Sequence, residues 1–258
     1  MTATPPLELA ALTTDEAAAI AASPPTCVLL PVGSVEPHGP HLPLDTDTRI
    51  GLEACRIACE RLRAEGVPTF VAPPVHYGVT NYAAGFPGAL SVPAATLTAF
   101  LRAVAEGLLA DGWSHVSLVN NHLEPAHDAA VRAAIAGAAP GRASVSCPLT
   151  RRWGRTLSDE FKRGNCHAGR YETSLALAAG LAVRASASSL PSIATSLSDG
   201  IRAGKTTFAE MGLDRAYTGA PAEASAVEGA ALYEKLAEMI ATEALEGLAA
   251  SGHARRAP

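Results

Sequence analysis

One short segment near the start of the chain concentrates side chains that could bind a metal ion. Residues 36–47 read EPHGPHLPLDTD, and three prolines stiffen the segment. It holds Glu36, His38 and Asp47, whose carboxylate oxygens and imidazole nitrogens are ligands that Zn²⁺, Mn²⁺ and Fe²⁺ take in proteins. The alternative is a polar surface loop in which Asp45 or Asp47 caps the following helix. Spacing alone leaves both interpretations open.

A second segment places another histidine and carboxylate two residues apart. Residues 120–127 read NNHLEPAH and contain His122 and Glu124. In an extended turn, residues two apart face the same way, so both side chains could reach one metal ion. Glu124 could also open the helix that follows, where a carboxylate interacts favourably with the helix dipole, and the two roles are compatible. We expect His127, which lies on that helix, to be structural.

A third polar segment, residues 165–174, reads NCHAGRYETS. His167 and Glu172 lie next to the start of an apolar helix, and Gly169 would let the backbone approach a ligand closely. By itself, this segment points to no particular chemistry.

Short apolar runs alternate along the chain with longer stretches in which apolar residues recur at helical spacing. The runs predict four strands, at residues 27–32, 69–72, 115–120 and 143–147. The longer stretches predict helices at about residues 48–65, 93–109, 128–136, 171–182 and 222–248, and residues 13–16 form a capping-box motif that opens a further short helix. This alternation indicates a single-domain, layered α/β/α fold with a mainly parallel central sheet.

The predicted sheet explains how the first two polar segments could meet. The segment at 36–47 follows the predicted strand at 27–32, and the segment at 120–127 follows the predicted strand at 115–120. In parallel α/β sheets, ligands bind at the carboxyl ends of the strands. We therefore expect both segments to converge on one edge of the sheet.

A long connection between the second strand and the next helix, residues 73–90, is rich in aromatic side chains. Connections of this length are uncommon in compact domains unless they are functional or disordered, and the aromatic content favours function. We expect Tyr77, Asn81 and Tyr82 in this loop to contact the substrate.

Length and composition limit the classes of protein to consider. The 258 residues carry a formal net charge of −5, and 48% of them are hydrophobic, which is sufficient for one α/β domain spanning residues 1–258. The core should run from about 27 to 245, and we expect residues 251–258 to form a disordered tail. The mild acidity argues against nucleic-acid binding. No apolar run reaches the roughly 18 residues of a transmembrane helix, so we expect no membrane partner.

The five cysteines are odd in number and form no C-x-x-C pair. In a chain of this length, such scattered cysteines indicate reduced thiols. The first nine residues lack the basic and apolar blocks of a signal peptide. We therefore expect a cytoplasmic location.

Residues 32–47, which read VGSVEPHGPHLPLDTD, closely resemble the metal-binding signature of the creatininase family. Later stretches are similar to further motifs of that family and follow in the same order. They are GFPG at 85–88, the His122 segment, HAG at 167–169, ETS at 172–174 and YTG at 217–219. The resemblance covers about residues 27–245. It implies a creatininase-like fold and a homohexamer.

The resemblance also implies a centre of two divalent metal ions per chain, Zn²⁺ and/or Mn²⁺, with Fe²⁺ as a further possibility. Asp47 would be the bridging carboxylate. Glu36 and His122 would complete one metal site, and His38 and Glu124 the other. Glu172 matches a family glutamate that would be a further ligand or a proton acceptor, and His167 matches a family histidine that would transfer a proton or contact the substrate.

The activity that this resemblance implies is metal-dependent hydrolysis of a non-peptide C–N bond in a small cyclic or linear amide. Two alternatives remain: a peptide-trimming or formamide-hydrolysing relative, and a metal-binding protein that has lost its chemistry. Leu123 and Glu124 stand where many family members have two glycines, and this pair is closer to creatininase itself. The neighbouring residues Asn121 and Pro125 differ from those expected in creatininase, so the segment does not identify creatinine as the substrate.

Overall fold

A parallel sheet of four strands forms the centre of the computed structural model, which describes residues 6–253. The strands lie in the order β2-β1-β3-β4, and every neighbouring pair is parallel. Their bounds are Cys27–Val32 (β1), Thr69–Val71 (β2), His115–Asn120 (β3) and Ala143–Ser146 (β4). Every residue of β1 and β3 is buried, as expected for strands that are covered on both faces.

Helices cover both faces of this sheet and give the layered α/β/α architecture that the sequence predicts. Single 3-10 turns occur at Leu9–Ala11, Ala185–Ser189 and Pro221–Glu223. The α-helices are α1 (Thr14–Ala21), α2 (Thr46–Ala64), α3 (Ala94–Ala110), α4 (Pro125–Ile135), α5 (Arg151–Gly154), α6 (Asp159–Lys162), α7 (Arg170–Ala178), α8 (Leu197–Arg202) and α9 (Ala226–Ala250).

The two faces of the sheet bury separate apolar cores because successive strand residues point to opposite sides. Leu29 of β1 belongs to the core formed with α2, α7 and α9, whereas its neighbour Leu30 belongs to the core formed with α3 and α4. Helices α7 and α9 pack closely, since a side chain at Gly229 would collide with the Ser174 carbonyl oxygen.

The predicted strands and long helices are present, and the differences at their ends have local causes. Helix α4 begins at Pro125, not at residue 128, because proline fits the first helical turn, where its missing N–H is not needed. Helix α7 ends at Ala178, not at 182, because Gly180 adopts a left-handed conformation (φ 69°) that terminates it.

The sheet brings the polar segments to one edge, as the sequence predicts. Val32 and Asn120, the last residues of β1 and β3, are paired in register. The chain therefore leaves both strands at the same level, and the loop after β1 leads into the first turn of α2.

Within residues 6–253, no helix is long and apolar enough to cross a membrane. Of the tail predicted at 251–258, residues 254–258 lie outside the described part of the chain. Ser251 is the C-cap residue of α9, and its backbone N–H donates a hydrogen bond to the Gly247 carbonyl oxygen.

Candidate metal centre

Six buried side chains at the carboxyl edge of the sheet form three overlapping groups with the composition of a metal site. In each group, three histidine or carboxylate ligand atoms lie within 4.8 Å of one another. The groups are Glu36–Asp47–His122, His38–Asp47–Glu172 and Glu36–His38–His167.

Asp47 joins two of these groups because each of its carboxylate oxygens contacts a different histidine. Oδ1 lies 3.0 Å from Nε2 of His38, and Oδ2 lies 3.0 Å from Nδ1 of His122. Asp47 lies in the first turn of α2, where the helix dipole stabilises a negative charge. Asp47 is not the capping residue of α2, because the N-cap position is occupied by Asp45. The Asp45 side chain makes no capping hydrogen bond and pairs with Arg49 at 2.8 Å.

Backbone carbonyl groups orient all three histidines. In each imidazole ring, one nitrogen donates a hydrogen bond to a carbonyl oxygen. The donors are Nδ1 of His38 to Glu36 (3.1 Å), Nε2 of His122 to Val79 (2.7 Å) and Nε2 of His167 to Pro37 (2.9 Å). In the neutral ring, the other nitrogen then carries a lone pair, and in each case it faces the carboxylates. Metal-binding histidines are oriented by this kind of hydrogen bond.

The remaining distances show how closely the carboxylates surround these lone pairs. Oε1 of Glu36 is 3.2 Å from Nδ1 of His122 and 3.6 Å from Nδ1 of His167. Oε2 of Glu172 is 3.6 Å from Nε2 of His38. Lone pairs and carboxylates repel one another unless a cation or protons lie between them, so these residues fit divalent metal ions.

The pKa values of His38 and His122 show the same demand for positive charge. Burial lowers the pKa of His38, but the carboxylates of Asp47 and Glu172 outweigh burial and raise it to about 10. Burial also lowers the pKa of His122, and Glu36 and Asp47 more than compensate, so that its pKa is well above the usual value.

Glu172 occupies the first turn of α7, and its carboxylate is part of the cluster. Oε2 accepts a hydrogen bond from the Ala168 backbone N–H at 2.6 Å. Ala168 has a positive φ of 49°, which is unfavourable for alanine and shapes the turn between His167 and the helix. Burial raises the pKa of Glu172 to about 8, although His38 opposes the shift.

Glu124 lies in the same cleft but outside the three ligand groups. Its Oε2 accepts a hydrogen bond from the Tyr82 backbone N–H at 3.2 Å, and its buried Oε1 has no hydrogen-bond partner among the described residues. Burial raises the pKa of this carboxyl group. It occupies the N-cap of α4 without capping the helix through its side chain. Its Oε1 is therefore available to a metal ion or to a substrate.

His167 lies between the cluster and an aromatic side chain. Its ring is 4.5 Å from the ring of His38 and 4.6 Å from the ring of Phe208. Burial lowers its pKa to about 4, with a further contribution from His38. Its Nδ1 can therefore accept a hydrogen bond at neutral pH.

The three residues expected to contact the substrate lie in different parts of the structure. Tyr82 lines the cleft above the cluster. Tyr77 is 53% exposed and lines a different groove, beside α3. Asn81 is exposed, and its side chain accepts a hydrogen bond from the Ser91 hydroxyl group. Tyr77 and Asn81 do not line the cleft.

The cleft also contains residues that the sequence did not identify. They are Leu123, Pro125, Leu149, Cys166, Leu197, Ser198, Ile201 and Phe208. Most belong to loops or to the short helix α8, which has no periodic pattern long enough to predict. All of them except Ser198 are apolar or sulfur-containing, and that character does not distinguish them from core residues.

Comparison with known protein families finds one match that spans most of the chain. The model "Creatininase: Creatinine amidohydrolase" matches residues 10–244.

Three curated proteins illustrate the similarity at the level of sequence. A "Mycofactocin precursor peptide peptidase" of Mycolicibacterium smegmatis is 46% identical over 97 residues, which is 37% of this chain and 38% of that protein. A protein of the same name from Mycobacterium ulcerans is 31% identical over 221 residues, covering 82% of this chain and 81% of the relative. A "Creatinine amidohydrolase" of Pseudomonas putida is 33% identical over 104 residues, which is 38% of each chain. The first of these matches thus spans well under half of the relative's length.

Solved structures share the fold at lower sequence identity. A mutant creatininase superposes with a TM-score of 0.74 at 21% identity and covers 94% of this chain and 98% of that chain. A structure titled "Creatininase Mn" gives 0.69 at 22%, and a mutant creatininase of "Zn-Zn type" gives 0.70 at 21%, each with the same coverage.

Proposed function

The chain belongs to the creatininase family of metal-dependent hydrolases, and we propose that it hydrolyses a peptide bond at a centre of two divalent metal ions. The observation that carries the proposal is the position of Asp47, whose two oxygens face two separate sets of ligands. A carboxylate shared in this way would hold two ions, which would supply Lewis-acid activation of one substrate carbonyl group.

We assign the ligands from the clusters. Glu36, Asp47 and His122 would hold one ion, and His38, Asp47 and Glu172 the other. This assignment differs from the one implied by the family resemblance, in which Glu124 completes the second site. The Mn and Zn-Zn forms of structural neighbours support Mn²⁺ or Zn²⁺ as the ions.

The bound ions would polarise the carbonyl oxygen of the substrate and lower the pKa of the attacking water. Glu124 is our candidate to accept the proton of that water and to deliver it to the leaving nitrogen. Its unpartnered Oε1 and its raised pKa suit a group that first accepts a proton and then donates it. His167 would accept a hydrogen bond from the substrate through Nδ1.

Two of the three curated relatives described above support a peptide as the substrate. Both are named as peptidases of a precursor peptide, and the Mycobacterium ulcerans protein aligns over most of its length. The sequence alone favoured a small non-peptide amide. That second candidate keeps the support of the Pseudomonas putida relative, which is named as a creatinine amidohydrolase.

Parallel assays of both substrates test the proposal. Purified protein loaded with Zn²⁺ or Mn²⁺ would be incubated with a synthetic mycofactocin precursor peptide of Mycolicibacterium smegmatis, and separately with creatinine, and the products identified by mass spectrometry. We expect cleavage of the peptide and its loss in Asp47→Asn. Asp159→Asn, at an 82% exposed side chain, is the control that should retain activity. Hydrolysis of creatinine alone would refute the peptide substrate, and no hydrolysis with any metal would refute the proposed activity.

A further inference from the structure

Six large apolar or aromatic side chains are among the residues that line the cleft at the candidate metal centre. We define the apolar wall as Tyr82, Leu123, Leu149, Leu197, Ile201 and Phe208. We propose that this wall binds an apolar side chain of the substrate residue next to the scissile bond, so that the enzyme selects peptides by that residue. The inference rests on the proposed peptide-bond hydrolysis and specifies its substrate class.

The apolar wall retains contact with solvent, although it adjoins buried carboxylates. Leu149 is 43% exposed, and Leu197 and Ile201 are half-buried. Single exposed leucines are common on protein surfaces, but several large apolar side chains around a cleft with convergent polar groups are typical of ligand sites. Water must leave these side chains when a substrate binds, and an apolar group gains most from that release.

The deep part of the wall is held in a fixed position relative to the metal ligands. Phe208 is 4% exposed, and its ring lies 4.6 Å from the ring of His167. Its backbone N–H donates to the Tyr82 carbonyl oxygen at 2.7 Å. Behind it, Phe208 packs in a buried apolar cluster with Met211 and Leu213. A substrate side chain would therefore meet a preformed surface.

The apolar wall itself carries no charged side chain. The acidic side chains among the described residues that line the cleft are those of Glu36, Asp47, Glu124 and Glu172, and no described lysine or arginine lines it. An acidic substrate side chain bound against the apolar wall would find no lysine or arginine to pair with. A lysine side chain bound there would have to leave water among apolar side chains, which is costly.

A peptide series measures this selectivity. Peptides derived from one cleaved sequence would carry Leu, Phe, Gly, Asp or Lys on either side of the scissile bond, and kcat/KM would be measured for each. We expect Leu and Phe, on one side of the bond, to exceed Gly, Asp and Lys by about 10-fold or more, the effect of burying a large part of one apolar side chain.

A charge introduced into the wall provides the second measurement. Ile201→Lys places a cation in the cleft, and we expect it to lower kcat/KM for the Leu peptide and to raise it for the Asp peptide. Ala203→Lys places the same charge two residues away, at an exposed position outside the cleft, and should leave the preference unchanged. Leu149→Lys, at the exposed rim, repeats the test if Ile201→Lys does not fold by circular dichroism.

The outcomes separate the two proposals. Metal-dependent cleavage with the apolar preference, altered only by the charges in the wall, supports the inference. Metal-dependent cleavage at equal rates across the series would overturn the inference and leave the proposed function intact. Hydrolysis of creatinine without cleavage of any peptide would overturn both.

Discussion

The hydroxyl group of Thr80 donates a hydrogen bond to Oε2 of Glu36, so the long loop after β2 holds one carboxylate of the candidate metal centre. Both side chains are almost completely buried. Oε1 of the same carboxylate faces His122 and His167, which leaves it available to a metal ion. Thr80 therefore orients a candidate ligand through the oxygen that faces away from the two histidines.

Replacement of Thr80 tests this orienting role. We expect Thr80→Val, which keeps the shape but lacks the hydroxyl group, to weaken metal affinity by about 10-fold to 100-fold, as for other groups that orient ligands. Thr80→Ser restores the donor and should recover most of the affinity. Competition with a chromogenic chelator measures the dissociation constants, and equal values for Val and Ser would contradict the role.

Exchange of the two glutamates by glutamine should separate binding from catalysis. Glu172→Gln should lose one of the two metal ions, because its carboxylate belongs to a ligand group. Glu124→Gln should retain both ions while kcat falls by about 10²-fold to 10⁴-fold, the range for loss of a general acid or base. Elemental analysis and steady-state kinetics on the same samples provide both readings. Loss of metal from Glu124→Gln would instead favour its assignment as a ligand.

Metal removal should destabilise the whole domain. The proposed ligands come from four places in the chain, namely the loop after β1, the first turn of α2, the loop after β3 and the start of α7. Ions that bind only the folded state, at a concentration of about 100 times the dissociation constant, add about 2.7 kcal/mol and raise Tm by roughly 5–10 °C. Differential scanning fluorimetry with and without chelator measures the shift. Asp47→Ala should show almost none.

A buried histidine far from the centre should make the fold sensitive to acid. The His115 ring hydrogen-bonds to the Gly141 carbonyl oxygen at 2.8 Å and to the Ser144 hydroxyl group at 2.9 Å, and burial lowers its pKa. The unfolded chain, with a histidine pKa of about 6.5, binds more protons than the folded chain at and below that pH. The free energy of unfolding therefore falls as the pH decreases through about 6.5.

Comparison with His115→Gln isolates this contribution from that of the other histidines. The variant should be less stable at pH 7, since it replaces a fitted buried ring, but its stability should change less between pH 7 and pH 5. Urea denaturation of the metal-free proteins at both pH values gives the four free energies. An identical pH dependence in the two proteins would show that His115 does not contribute.

The sequence predicted the architecture because its main elements are long and periodic. The apolar runs of β1 and β3 and the helical spacing in α2 and α9 are sufficient to give a layered α/β fold. The same elements predicted that Glu36 and His122 would converge, since parallel strands end at one edge of the sheet.

The positions of the two glutamates could not be derived from sequence. Glu124 stands two residues after His122 and matches the spacing of a ligand, and its assignment as a ligand stays a prediction. One of its oxygens, Oε2, accepts a hydrogen bond from the Tyr82 backbone N–H. Glu172 reaches the cluster because α7 packs against α9 and directs its first turn toward His38. That packing depends on contacts between segments distant in the chain, so it cannot be predicted from a local sequence pattern. Phe208 was missed for the same reason.

The packing of α7 on α9 also determines when the centre can be completed during synthesis. Glu172 is positioned by a helix whose close partner is formed by the last part of the chain, beginning with the Gly229 contact to Ser174. A chain still emerging from the ribosome can present Glu36, His38 and Asp47 long before that partner exists. On the ligand assignment that we propose, we therefore expect the second ion to bind late in biogenesis and a truncated or stalled product to bind metal incompletely.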